Sequence, residues 1–235
     1  DMETRFADGT VIAAFLERED RRDALLGPHE SIDALPQGAV VGTASVRREA
    51  LLRAHRPDLQ IKLLRGNVQT RMQQLEDGTY DAIILAMAGL NRLRIDGISI
   101  TVPFRPLDAD VFMPAAAQGI IAIQAVAADG SPRRDAVLDA LATLNHTATA
   151  AEARAERALL DRLDGTCQTP VGASAHISDG SIHLSAALLS RDGQQRFDAE
   201  GHAGVGDAEA LGHDLADRLL HQAGGRGFLI AQDNG

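Results

Sequence analysis

The sequence predicts an α/β fold built on a parallel sheet, followed by a smaller α+β unit with an antiparallel sheet. Three observations carry this. Apolar runs alternate with helix-length amphipathic stretches between Ala39 and Met87, the strand–helix–strand–helix–strand rhythm of a parallel sheet covered on both faces. Beyond residue 170, apolar runs are joined by Asp179-Gly180 and Asp192-Gly193, strong signals for two hairpins. The composition, 45% hydrophobic and 24% charged over 235 residues, is that of a globular chain with a sizeable core.

Each element has a local reason. Thr10–Leu16 is a strand-like apolar run, which the charged stretch Glu17–Asp23 breaks. Pro36–Gly38 turns the chain into a short buried strand, Ala39–Gly42, and Ser45 caps a helix running through His55. Arg56-Pro57-Asp58 ends that helix; Leu59–Leu64 is the next strand. Arg65-Gly66-Asn67 turns into a second helix that ends near Asp77-Gly78, and Asp81–Met87 is a third strand. Past a stretch punctuated by Pro103, Pro106 and Pro114, Ile120–Val126 is again a strand. Asp135–Asn145 and Thr147–Leu163 are helical, Val171–Ile177, Ile182–Leu189 and Gln194–His202 are strands, and Asp207–Gln222 is a final amphipathic helix.

Composition excludes several function classes. The net charge of −10, one Tyr, six Phe and no Trp argue against a nucleic-acid binder, which needs a basic face and stacking aromatics. No apolar run approaches the roughly 20 residues of a membrane span. One cysteine, Cys167, excludes a disulfide framework and a multi-cysteine metal site. The eight histidines show no metal-ligand spacing, so no metal site is expected. The chain opens at Asp1 in what reads as the middle of a domain, so a targeting segment would lie upstream.

The basic residues point to an anion. Lys62 is the one lysine; all other cations are arginines, suited to a bidentate grip on carboxylate or phosphate. Residues 41–105 carry a local excess of positive charge in an acidic chain. Arg47 and Arg48 fall in the first turn after Ser45, where cations oppose the helix dipole. Arg65 and Arg71 repeat the arrangement after the next strand, and Arg92 follows the third. Arginines at three successive strand ends mark the edge where open α/β sheets bind ligands, and free helix N–H groups add to the attraction. Cys167 sits just past a helix C-terminus, whose carbonyl ends do not lower a thiol pKa, so a thiol that reacts once fits better than one that turns over.

These segments resemble the porphobilinogen deaminase family. The resemblance rests on Glu156-Arg157 with Leu163-Asp164-Gly165-Thr166-Cys167-Gln168-Thr169-Pro170-Val171-Gly172, on Val41–Arg48, and on Leu64–Val68 with Arg71. Glu17–Asp20, Tyr80–Ala86 and Ala117-Gln118-Gly119 add to it. It implies two α/β domains like those of periplasmic binding proteins, the first mostly absent here, and a C-terminal α+β domain: residues 1–16 with 120–142, then 22–113, then 147–235. It implies a cytoplasmic, monomeric transferase of tetrapyrrole and heme biosynthesis, with no nucleic-acid or membrane partner. Such an enzyme condenses four porphobilinogens head to tail into hydroxymethylbilane and releases ammonia. By the same resemblance Cys167 bears a dipyrromethane cofactor through a thioether. Thr43, Ser45, Arg47, Arg48 and Arg71 hold cofactor carboxylates, Arg65 and Arg92 grip the substrate, and Asp1 stabilises the cation formed when ammonia leaves. With most of the first domain absent, the fragment alone is expected to be inactive. The alternative is a non-catalytic, periplasmic-binding-like protein for small carboxylates, which would have no use for Cys167.

Overall fold

The structure, a computed structural model, describes residues 7–165 and 168–233. In chain order its first part contains β1 (Thr10–Phe15), β2 (Asp23–Leu26), β3 (Val40–Thr43), α1 (Val46–His55), β4 (Gln60–Leu63), α2 (Val68–Glu76), β5 (Ala82–Ala86), α3 (Met87–Ile95) and β6 (Phe104–Pro106). Five of these strands form one sheet in the order β4-β3-β5-β2-β6. Strands β3, β4 and β5 run parallel, joined by helical crossovers, whereas β2 lies antiparallel to both β5 and β6.

The parallel strands are those expected from the sequence; β2 and β6, which it did not announce, make the sheet mixed. The charged stretch does not end at Asp23: this residue opens β2, and all four residues of the strand are buried. Hydropathy hides such a strand because its acid is matched by guanidinium groups distant in sequence. One boundary is corrected: the strand expected over Asp81–Met87 runs Ala82–Ala86, and α3 begins at once, with no side-chain cap to announce it. The three-residue β6 is too short to show a period.

Alternation along β5 explains the two cores. Ala82 and Ile84 face a layer with Val41, Leu25, Leu51 and Leu52; Ile83 and Leu85 face the opposite layer with Leu26, Met72 and Leu90, as the two-residue period of a strand requires. Ser45 caps α1 by accepting from Arg48 N, and Asn67 caps α2 by accepting from Thr70 N. Both helices start at the carboxyl edge of this sheet.

The second part contains β7 (Ala122–Val126), α4 (Pro132–Ala142), α5 (Thr147–Arg162), β8 (Val171–Ser178), β9 (Ser181–Leu189), β10 (Arg196–Gly204), α6 (Ala208–Gln222) and α7 (Gly227–Asp233). Strand β7 returns to pair antiparallel with β1. Strands β8, β9 and β10 form an antiparallel meander, and α5 and α6 cover one of its faces through a core that includes Ala151, Leu159, Leu184, Leu188 and Leu215. The two helices approach closely: a Cβ on Gly212 of α6 would lie 2.3 Å from the Ala155 carbonyl oxygen of α5. Ala150, Ala151, Ala153, Ala155 and Ala158 give α5 the small buried side chains that such contact needs. The tip of the β9–β10 hairpin docks on α1, where Gly193 (φ 73°) packs against the backbone of Ala50, Arg53 and Ala54.

Candidate anion-binding site

Because β2 runs against its neighbours, its first residue reaches the edge where the parallel strands end. Asp23 pairs in register with Ala86, the last residue of β5, and its carboxylate is buried between the first-turn arginines of α1. Arg48 places Nη2 2.7 Å and Nε 3.0 Å from Asp23 Oδ1 and donates from Nη1 to the Ile84 carbonyl at 3.2 Å. Arg47, 4% exposed, has Nη1 2.9 Å from Asp23 Oδ2 and 2.5 Å from the Met113 carbonyl oxygen. Its buried Nε has no hydrogen-bond partner among the described residues.

Gln118 completes the arrangement. Its Nε2 donates to Asp23 Oδ1 at 3.0 Å and to the Arg21 carbonyl at 2.7 Å, while its Oε1 accepts from Arg47 Nη2 at 3.4 Å. Burial by itself would push the Asp23 carboxyl up, but the charges of Arg47 and Arg48 and their hydrogen bonds together hold it below the ordinary range. Asp23 thus stays ionised and fixes two guanidinium groups whose charges it only partly cancels.

The remaining site residues surround this core. Thr43, buried at the end of β3, accepts from Ser45 N at 3.1 Å, and Ser45 accepts from Arg48 N; each hydroxyl retains an O–H donor. Arg71, half-buried in α2, donates to the Gly66 carbonyl at 2.8 Å and has no carboxylate partner among the described residues. Burial, and then the charge of Arg48, lower its pKa. Arg65, in the turn after β4, and Arg92, on α3, are exposed and likewise unpaired with acids among the described residues. Asp1 and Cys167 lie outside the described residues. The stems of the Cys167 loop are held, however: Arg226 bonds Asp164 and donates to the Arg162 carbonyl at 2.7 Å, and Leu189 N donates to the Pro170 carbonyl at 2.9 Å.

A second buried network joins this site to α5. Glu156, fully buried, accepts from Ala117 N at 2.5 Å, Ala175 N at 2.6 Å and Arg18 Nη1 at 2.7 Å. Arg18 also meets Glu152 and donates from Nε to the Gln118 carbonyl at 3.0 Å. Gln118 therefore touches both networks, with its backbone on one and its side chain on the other. Sequence reasoning used Arg18, Gln118 and Glu156 only as parts of resembling segments and assigned no role to Asp23; a polar group within an apolar run and an acid on an alanine-rich helix were the signals available. Two surface cavities, one of 440 Å³ beside α4 and β7 and one on α6, contain none of these residues.

Comparison with protein families gives two matches. Residues 1–134 match the model described as "Porphobilinogen deaminase, dipyromethane cofactor binding domain", and residues 150–221 match "Porphobilinogen deaminase, C-terminal domain". The chain belongs to the porphobilinogen deaminase family. Among solved structures, a periplasmic binding protein of Salmonella typhimurium described for its high arginine specificity is 13% identical with a TM-score of 0.35. That match covers 58% of this chain and 59% of the other.

The cofactor of the porphobilinogen deaminase family is dipyrromethane, and the segment carrying Asp23 and the arginines is its binding domain. The residues present fit such a group, whose pyrroles bear carboxylate side chains. Arg47 and Arg48 share one buried acid, Arg71 adds a third cation close enough to feel the charge of Arg48, the Arg47 Nε has no partner among the described residues, and the capped N-termini of α1 and α2 add partial positive charge. No described helix is long and apolar enough to cross a membrane.

Proposed function

We propose that this chain is the porphobilinogen-condensing transferase of tetrapyrrole biosynthesis, joining four porphobilinogens head to tail into hydroxymethylbilane with release of ammonia. The observation that carries the reading is the arginine cluster around Asp23, at the carboxyl edge of a sheet whose sequence matches the cofactor-binding domain. When bound, dipyrromethane supplies the primer end to which pyrrole units are added. Cys167 holds it covalently, and Thr43, Ser45, Arg47, Arg48 and Arg71 hold its carboxylates by charge-assisted bonds. Arg65 and Arg92, exposed on the same edge, orient the carboxylates of incoming porphobilinogen. Asp1 accepts from pyrrole N–H groups and stabilises the positive charge left on the substrate ring when ammonia departs, an electrostatic contribution from a fixed carboxylate.

The proposal divides the chain into residues 1–16 with 120–142, residues 22–113, and residues 147–235, and places it in the cytoplasm as a monomer without nucleic-acid or membrane partners. Cys167 also separates this reading from a carboxylate-binding protein, which needs no covalent primer. The test is an intact mass of the protein isolated at its natural length from its own cells. The expected mass exceeds that of the polypeptide by two pyrrole units, with the adduct on Cys167 and none in Cys167→Ala. An unmodified mass together with full activity would overturn the covalent assignment.

A further inference from the structure

The antiparallel sheet has one face against α5 and α6; the other carries a row of imidazoles. His176 on β8 is in register with His183 on β9, and His183 with His202 on β10. The rings of His176 and His183 stack with centroids 5.0 Å apart and planes within 11°, and those of His183 and His202 with centroids 5.7 Å apart at 29°. Their sequence separations conceal this, because strand pairing alone brings them together.

Two features bear on what the row could bind. First, no ring nitrogen of the three has a hydrogen-bond partner among the described residues, whereas His55 and His146 each have one. A neutral imidazole carries one lone-pair nitrogen, so three adjacent donors are unused on a rigid sheet. Second, the neighbouring rows on this face are small except for one acid: Ser178, Ser181 and Gly204 on one side, and Ser174 and Ser185 with Glu200 on the other. As stacked, no three donor groups converge on one point among the described residues. Binding one ion therefore requires the rings to turn out of the stack into other rotamers, and the serines and glycine beside them are small. Glu200 supplies a carboxylate one row away, while Arg21 bonds Ser174 Oγ at 3.2 Å at the outer edge of the β8 strand.

We propose that His176, His183 and His202 form a surface site for one divalent transition-metal ion of the imidazole-preferring class, such as Zn²⁺. His183 is the shared member: it neighbours both other rings, so any adjacent pair includes it.

The experiment is a titration of the untagged full chain with ZnCl₂ at neutral pH, by calorimetry and by NMR of the histidine ring resonances. One Zn²⁺ per chain is expected, with shifts in these three rings. His183→Ala should weaken binding at least about tenfold, since losing a ligand costs no less than losing an outer-shell partner. His176→Ala and His202→Ala should each cost less, because an adjacent pair survives. The double variant His176→Ala/His202→Ala, altered only at exposed positions, should match His183→Ala, which guards against a folding defect at the half-buried central position. No ring shifts at millimolar Zn²⁺, or zinc binding of unchanged strength in both His183→Ala and the double variant, would overturn the site.

Discussion

Asp23 and Arg48, twenty-five residues apart, meet at 2.7 Å between Oδ1 and Nη2 at the carboxyl edge of the central sheet. The contact exists because β2 runs antiparallel to its neighbours, which carries its first residue to the edge where α1 begins. An acid so enclosed has consequences for stability, pH response and ligand binding.

Asp23→Asn should destabilise the fold by about 3–5 kcal/mol, because it leaves the buried Arg47 without its counter-charge. The pH dependence follows from the direction of the shift. Asp23 has a folded pKa below its unfolded value, so its contribution is complete above about pH 4, the ordinary carboxylate value, and is lost as pH falls through the lower folded pKa. Urea unfolding at pH 7 and at pH 3 checks both statements: the gap between wild type and Asp23→Asn should be narrower at pH 3.

The arginines should separate by role. Arg71→Ala removes a cation repelled by Arg48 and should leave stability nearly unchanged while cofactor content falls. Arg48→Ala should lower both, since Asp23 loses its closest partner. Arg65→Ala, an exposed change, should alter stability by no more than about 0.5 kcal/mol yet cost about 1.5–3 kcal/mol in substrate use. Lysine should rescue each only in part, lacking the bidentate fork. Cofactor mass, thermal unfolding and kcat/KM measured on one set of variants check the pattern.

Docking of the β9–β10 hairpin on α1 can be isolated by comparing two glycines. Gly180 and Gly193 have similar positive φ values, 76° and 73°, but a Cβ on Gly180 meets nothing within 4 Å, while one on Gly193 lies 2.5 Å from Ala54 N. Both alanine variants carry the left-handed backbone cost of about 1–2 kcal/mol. Gly193→Ala should exceed Gly180→Ala by at least about 1 kcal/mol from overpacking, read by chemical denaturation.

Asp1→Asn keeps shape and one acceptor oxygen but removes the charge. In the cofactor-loaded enzyme it should slow single-turnover ammonia release by at least about a hundredfold, the low end for losing one stabilising group. Asp1→Glu, which keeps the charge and displaces it by a methylene, should retain more activity. Equal rates for Asp1→Asn and wild type would place the stabilising charge elsewhere.

The alternation of apolar runs with capped helices was readable along the chain. Ser45 and Asn67 cap through their nearest neighbours, and Asp179-Gly180 and Asp192-Gly193 turn within a few residues, so local chemistry is enough to announce these elements. The position of arginines after three successive strands was readable for the same reason: strand ends and helix starts are local events. By contrast β2, the partner of both first-turn arginines, was invisible, because a buried acid reads as exposed until its counter-charges are brought to it. The roles of Gln118 and Glu156 and the row of His176, His183 and His202 were equally hidden. Local sequence specifies where the backbone turns and which face is apolar, since those depend on residues within one helical turn or one hairpin. Strand order and register decide which polar side chains meet across tens of residues, and here the antiparallel β2 and the paired rows of β8, β9 and β10 made that decision.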